Sequence, residues 1–217
     1  AANQNNIEAQ RYLGSIYYTG EYCSPDIEKS IHFFSLAAQQ NSPEAQFSLG
    51  VIYYSGNLMP RDIDKAIYYL SLAANQYNTE AQLFLGDIYC SGKYALKSID
   101  KAIYYYSLAA SKNNVKAQKI LGDIYYFGEY VPRDINKAIY YYSLAVNQDS
   151  TEAQLALGNI YCLDQFQLRN YDKAVYYYSL AANKNNSDAQ FMLGKIYCSM
   201  QTGKHDIYKA IHYFSLS

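Results

Sequence analysis

Four cysteines, three histidines and one serine–lysine pair are the residues of this 217-residue chain whose types and spacing could do chemistry. Cys23, Cys90, Cys162 and Cys198 could bind a metal or form disulfides. His32, His205 and His212 could join them as ligands. Ser98-Ile99-Asp100-Lys101 has the S-x-x-K spacing in which a serine nucleophile sits one helical turn from a lysine amine. Asn185-Asn186-Ser187 is a glycosylation sequon, which matters only in a secreted chain.

Whether any of these residues meet depends on the elements that carry them, and those elements are repeated. Ala-Gln recurs at Ala9, Ala45, Ala81, Ala117, Ala153 and Ala189. Leu-Gly follows each time, ending in Gly14, Gly50, Gly86, Gly122, Gly158 and Gly194. A lysine recurs at Lys29, Lys65, Lys101, Lys137, Lys173 and Lys209, and every interval is 36 residues. The second unit reads as two helices. Ser42 is an N-cap with Pro43 at the first helical position. Helix A runs to about Tyr54, with apolar residues at helical spacing, and Gly56 supplies the left-handed stop. Asp62 caps helix B, which continues to about Asn75 and buries Ile63, Ala66, Ile67, Leu70 and Ala73. The equivalents of Ser42 are Asn6, Asn78, Asn114, Ser150 and Asn186; those of Asp62 are Asp26, Ser98, Asp134, Asn170 and Asp206. A single helix pair cannot bury its own apolar face, so the units must stack into an array. Gly50 and Ala66 remove side chains where helices cross closely.

The repeat removes most of the apparent chemistry. Cys90, Cys162 and Cys198 occupy the position that holds Tyr18, Tyr54 and Tyr126 elsewhere, too far apart to bridge. They read as small apolar fillers, and Cys23 stands alone in a loop. His32 and His212 replace Tyr68, Tyr104, Tyr140 and Tyr176. Ser98 is a helix N-cap and Lys101 the recurrent lysine. No catalytic, metal or cofactor site is expected, and the chain is expected not to be an enzyme. Half the residues are hydrophobic and the formal charge is −1, so a core is available. The Lys/Arg surplus of a nucleic-acid binder is missing, and no apolar run is long enough for membrane insertion. Tyrosine is over-used, at 28 residues with no tryptophan.

The strings AQFSLGVIYYSG and RDIDKAIYYLSLAA resemble the Sel1-like repeat, a relative of the tetratricopeptide repeat. The pattern A-x-x-x-L-G-x-x-Y-x-x-G, then D-x-x-K-A-x-x-Y-x-x-A-A, is met in all six units, with departures in the loops. The second loop glycine is replaced by Tyr22, Leu58, Tyr94, Tyr130, Phe166 and Thr202, and the first is lost at Asp164 and Met200. Where some bacterial members carry a disulfide, this chain has Ala74 and Ala81. The resemblance implies an all-α, right-handed α/α solenoid, with units near 6–41, 42–77, 78–113, 114–149, 150–185 and 186–217. Residues 1–5 read as the tail of a preceding helix B, so a segment of a longer array is expected.

The resemblance also implies an adaptor scaffold that holds a protein or peptide on a concave face lined by the A helices. Carried over by position, the lining residues are Phe47, Val51, Tyr54, Leu83, Asp87, Lys119, Asp123, Tyr126, Leu155 and Asn159. These positions vary from unit to unit while the core positions hardly change. Apolar anchors beside a few charges suit a peptide or a partner helix. A second surface competes. The i,i+4 pairs Tyr68/Leu72, Tyr104/Leu108, Tyr140/Leu144 and Tyr176/Leu180 share one face of helix B, with His32/Leu36 and His212/Leu216 at the ends. Such a ridge would suit self-association. A regulatory repeat region of a larger signalling enzyme is a third reading. Unpaired cysteines suit the cytoplasm, while the resemblance leaves the endoplasmic-reticulum lumen open.

Overall fold

A computed structural model describes residues 6–163, 168–200 and 203–217. The reading of residues 1–5 as a preceding helix B, and the loop positions Asp164, Phe166 and Thr202, lie outside the described residues. Each capping residue found in the sequence starts a helix. Asn6, Ser42, Asn78, Asn114, Ser150 and Asn186 accept a hydrogen bond from the backbone N–H three residues on, and so do Asp26, Asp62, Ser98, Asp134, Asn170 and Asp206. Each cap thus satisfies one of the orphan donors of a helix start.

The chain divides into two compact units, residues 1–112 and 113–217. The first contains α1 (Ile7–Thr19), α2 (Ile27–Gln39), α3 (Pro43–Ser55), α4 (Ile63–Asn75), α5 (Thr79–Ser91) and α6 (Ile99–Ser111). The second contains α7 (Val115–Phe127), α8 (Ile135–Val146), α9 (Thr151–Cys162), α10 (Tyr171–Ala182), α11 (Ser187–Cys198) and α12 (Ile207–Leu216). Odd-numbered helices are the A helices and even-numbered ones the B helices. Within each unit every helix packs on the next, and the described residues contain no strand. The helices stop where the sequence supplies the conformation to stop them. Gly20, Gly56, Gly92 and Gly128 take the left-handed conformation after the first four A helices. α9 and α11, which lack that glycine, end one residue earlier in the repeat, with Leu163 and Ser199 extended.

Helices A and B touch most closely at the Leu-Gly glycine. A methyl group added to Gly50 would lie 2.5 Å from Leu70 Cγ, and one added to Gly86 would lie 2.4 Å from Tyr106 Cε1. Beside this contact Ala66, Ala102, Ala138 and Ala174 have no exposed surface. The first repeat has Ser30 instead of alanine, and its hydroxyl donates to the Gly14 carbonyl at 2.8 Å. The chain then closes on itself, as the N–H of each helix-B cap donates to a helix-A tyrosine carbonyl. Asp62 N to Tyr53 O, at 3.0 Å, is typical.

The recurrent lysine has three tasks. Its N–H caps helix B. In four repeats its ammonium pairs with the capping aspartate, as in Lys29–Asp26 at 2.9 Å and Lys65–Asp62 at 3.1 Å. In all six it lies over the ring of a helix-A tyrosine, for example Lys173 at 4.7 Å from the Tyr161 centroid. That tyrosine stacks flat against a helix-B aromatic ring, as in Tyr53–Tyr69 at 5.8 Å and 5°. Offset stacks and cation–π contacts are each worth roughly 0.5–1 kcal/mol at partly exposed sites.

A buried amide in each repeat ties helix A to the tail of helix B. Gln10, Gln46, Gln82, Gln118, Gln154 and Gln190 are almost wholly buried. Gln40 donates its amide to Gln10 Oε1, Gln76 to Gln46 and Gln148 to Gln118, each at 2.8 Å. In the third and fifth repeats the partner position holds Lys112 and Lys184. There Gln82 Oε1 and Gln154 Oε1 have no hydrogen-bond partner among the described residues. Lys184 turns instead to Asp149, and Lys112 lies 5.0 Å from the Tyr77 ring.

Two predictions follow from these contacts. Lys112→Gln restores the amide pair with Gln82. An unpaired buried acceptor costs roughly 1–3 kcal/mol, more than the exposed cation–π contact given up, so urea denaturation should show a gain of about 1 kcal/mol; a loss would refute the amide account. The second concerns acid. Backbone N–H donation from the lysine, foremost, and then its ammonium hold the carboxyls of Asp26 and Asp62 below their ordinary value of 3.8. Backbone donation likewise leads at Asp134 and Asp206. A folded value below the unfolded one gives stability that is complete above about pH 4 and is lost as pH falls through the lowered values. Replacing the four capping aspartates by asparagine, the residue already at Asn170, should flatten the fall in melting temperature between pH 5 and pH 2. An unchanged slope would place the acid sensitivity elsewhere.

Candidate functional site

The A-helix side chains carried forward from the sequence are positioned by the glycine contact, which turns one helix face onto helix B and leaves the next face outward. In the first unit Phe47, Val51, Tyr54 and Asp87 are partly exposed. Leu83 is not. It is 7% exposed and belongs to the core, and its neighbour Phe84 is the partly exposed residue instead. The column lies at the edge of the buried stripe, and a helical phase read from spacing places an edge position only to within one residue. Phe84 is the centre of an aromatic cluster that the sequence reading missed. Tyr54 meets it edge-on at 5.0 Å and Phe47 at 6.3 Å, and Tyr54 also meets Tyr94 at 5.6 Å. Arg61 closes the cluster. Its Nε donates to the Tyr54 carbonyl at 2.6 Å, and its guanidinium lies 3.9 Å from the Tyr94 centroid. Hydrogen bonding from Lys93, with Arg61 nearby, holds the Tyr94 hydroxyl below tyrosine's usual range.

Two open clefts lie between α1 and α3. One, of about 150 Å³, is lined by Ser15, Tyr18, Phe34, Phe47, Ser48, Val51 and Ile52. The other, of about 410 Å³, shares Ser15, Phe34 and Ser48 and adds Glu8, Arg11, Tyr12 and Glu44.

In the second unit Lys119, Asp123, Tyr126, Leu155 and Asn159 are partly exposed. Lys119 and Asp123 form an ion pair at 2.7 Å on one helix face. Tyr126 lies edge-on to Phe127 at 5.0 Å, and Leu155 packs against the core around Tyr178.

Asp87, Asp123 and Asn159 also have an internal task. The buried hydroxyls of Tyr106, Tyr142 and Tyr178 donate to them at 2.8, 2.8 and 2.7 Å. Burial, foremost, pushes these three hydroxyls far above tyrosine's ordinary value, so they stay protonated donors. Repeats whose helix B has no tyrosine there have no carboxylate or amide at the matching helix-A position: Phe34 comes with Ser15, Leu70 with Val51, and Phe214 with Lys195. The variation along this column, read from the sequence as room for a ligand, therefore follows the residue that helix B presses against it.

On helix B, Tyr68, Tyr104, Tyr140 and Tyr176 are 58–59% exposed. Each meets its neighbour Tyr69, Tyr105, Tyr141 or Tyr177 edge-on at 5.1 Å. Leu72, Leu108, Leu144 and Leu180 are partly buried. His32 and His212 pack on Phe33 and Tyr213 in the same edge-on way at 5.3 Å, as tyrosine substitutes should. All four cysteines are free. Cys90 and Cys162 are half-buried and Cys23 and Cys198 exposed, so as core fillers they serve less fully than expected. Ser98 is held as a cap, accepting from Lys101 N–H at 3.5 Å. Among the described residues no group of three or more His, Cys, Asp or Glu could hold a metal ion, and no helix is long and apolar enough to cross a membrane.

The family model described as Sel1 repeat matches residues 7–42, 43–78, 79–114, 115–150, 151–186 and 187–217. A comparison with curated proteins gives no significant match. Among solved structures, the chain is similar to a protective antigen present in uropathogenic Escherichia coli strains that displays an SLR fold. The two share 29% identity with a TM-score of 0.87, over 100% of this chain and 46% of the other. The chain thus spans less than half the length of that protein. It is also similar to a Sel1 repeat protein from Oxalobacter formigenes, at 30% identity and a TM-score of 0.73, over 98% of this chain and 87% of the other.

The tyrosine–carboxylate pairs give a direct test. Asp123→Asn keeps an acceptor for Tyr142, as Asn159 does for Tyr178, and should leave stability within about 0.5 kcal/mol because the exposed pair with Lys119 contributes little. Asp123→Ala strands a buried hydroxyl and should cost about 1–3 kcal/mol in urea denaturation. Equal stability of the two variants would deny the pair a structural role.

Proposed function

The chain belongs to the Sel1 repeat family, and we propose that it is a non-enzymatic adaptor whose A helices hold a protein or peptide partner. Sel1 repeats generally serve as protein-interaction scaffolds. The observation that carries the A-helix reading is the partly exposed aromatic cluster of Phe47, Tyr54, Phe84 and Tyr94, bordered by Arg61 and beside the α1–α3 clefts. Rigid aromatic anchors in concave, partly desolvated surroundings are what peptide recognition uses, with neighbouring charges setting register. In the second unit Tyr126, Phe127, Lys119 and Asp123 offer a similar mixture. Asp87 and Asp123 keep a place in this reading, because each carboxylate retains acceptor capacity beyond its tyrosine bond.

A second reading is favoured by a separate observation. Tyr68, Tyr104, Tyr140 and Tyr176 leave more than half their surface in water while stacked neighbours hold them in place. Two such ordered, exposed tyrosines in each unit support self-association through helix B, since little side-chain entropy remains to be lost on contact.

The experiment is selection of random peptides by display on the wild-type chain, followed by affinity measurement on a Phe47→Ala/Tyr126→Ala variant checked for fold by circular dichroism. The adaptor reading expects selected peptides to lose about tenfold or more in affinity. Peptides that bind the variant as well as the wild type overturn the A-helix assignment. A mass that rises with concentration in light scattering, and is lost in Tyr68→Ser/Tyr104→Ser, would assign the association to helix B instead.

A further inference from the structure

We infer that the α1–α3 clefts of the first unit take a cationic peptide with one large apolar side chain, the anchor entering the smaller cleft and a neighbouring lysine or arginine lying over the larger one. This inference rests on the A-helix reading above and narrows it to one partner chemistry.

The cleft exists because two small residues fall together. Ser15 occupies the column that holds Val51, Asp87 and Asp123 in later repeats, and Ser48 the column that holds Tyr12, Phe84 and Ile120. Ser48 turns its hydroxyl back onto the Glu44 carbonyl at 2.9 Å, so its polar atom is satisfied by its own helix. Phe34 has no hydroxyl to reach across. What remains is an opening of about 150 Å³ whose other walls are Tyr18, Phe47 and Val51. A space of that size holds one aromatic ring, or a leucine or methionine side chain.

The charge of the partner follows from the helices around the opening. Of the residues lining the two clefts, Glu8 and Glu44 are acidic and Arg11 is basic, a net charge of −1, and α2, which supplies Phe34, carries Glu28 and Lys29 and adds no net charge. Arg11 and Glu44 engage each other at 3.7 Å in the larger cleft, so the net acid there is Glu8. In the second unit Lys116 stands at the same position, and α7, α9 and α11 carry three acids and three bases. At the positions of Glu8, Arg11 and Glu44, α7 and α9 carry Lys116, Lys119 and Glu152, a net charge of +1, so the acidic lining is particular to the first unit. Glu8 and Glu44 line the larger cleft, which shares Ser15, Phe34 and Ser48 with the smaller one. In an extended peptide, side chains two positions apart are about 7 Å apart on the same side. An anchor and a cation at that spacing reach both clefts together.

The test uses fluorescence anisotropy with three labelled heptapeptides that differ only at positions 2, 4 and 6, with serine between them so that the three side chains share one side: Lys-Phe-Lys, Lys-Ala-Lys and Glu-Phe-Glu. Lys-Phe-Lys should bind at least about tenfold more tightly than either of the others, and its affinity should fall as salt rises from about 50 to about 300 mM. Ser48→Phe, which installs the residue found at the equivalent Phe84, fills the cleft and should abolish the preference for phenylalanine over alanine. Glu8→Gln/Glu44→Gln should remove the salt dependence. Equal binding of Glu-Phe-Glu, undiminished binding by Ser48→Phe, or no binding of Lys-Phe-Lys at millimolar concentration overturns the inference. Peptides from display that lose affinity with Tyr126→Ala but not with Ser48→Phe overturn it while leaving the A-helix reading standing. Peptides indifferent to both substitutions overturn both.

Discussion

The close approach of helix B to the Leu-Gly glycine of helix A is the constraint on which the rest of each repeat depends. Where a methyl group would come within 2.4–2.8 Å of a helix-B side chain, only glycine lets the pair close. That side chain is therefore always pressed into helix A, and its chemistry dictates what helix A must offer. A tyrosine there brings a hydroxyl into a dry place, and a carboxylate or amide must meet it. A phenylalanine or leucine makes no such demand, and helix A is free to be small or apolar. The α1–α3 cleft is a by-product of that freedom: with Phe34 in the contact, Ser15 suffices.

The abundance of tyrosine acquires a physical account from the same geometry. Eleven of the 28 tyrosines form the flat inter-helix stacks, and three more fill the glycine contact. A phenol ring offers a face for the recurrent lysine at one position and, where it is buried, a hydroxyl for a helix-A acceptor at another, which a leucine core cannot do. The lysine, in turn, joins the cap of helix B to the stack, so local helix initiation and packing between helices rest on one residue.

Caps, helix ends and the glycine contact were legible in the sequence because each needs only a residue type at a repeated position. Asn6 or Asp62 is recognisable as a cap without knowing what the helix touches. Pairings between helices were not legible. Tyr106 and Asp87 are 19 residues apart, and Gln76 and Gln46 are 30 apart; neither separation carries meaning until the two helices are laid against each other. The Ala-Gln dipeptide marked the repeat, yet nothing in it said that the glutamine would be buried and matched to another amide. The exchange of Leu83 for Phe84 at the surface has a related cause. A residue at the margin of a helical stripe is turned in or out by its neighbours' bulk rather than by periodicity. What the A helices hold was legible only as a surface with mixed aromatic and charged character.

The contacts that define a repeat are all short in sequence. The cap-to-carbonyl bond spans nine residues, the tyrosine bond 19, the amide pair 30, and the hydrogen bond from Lys184 to the Asp149 carbonyl 35. Closing a loop costs conformational entropy that grows with its length, and chains dominated by such local contacts fold quickly. A ribosome would have to deliver only one hairpin before the first glycine contact could form. Each completed repeat then offers a packing surface to the segment that follows it, so the order of synthesis and the order of assembly coincide.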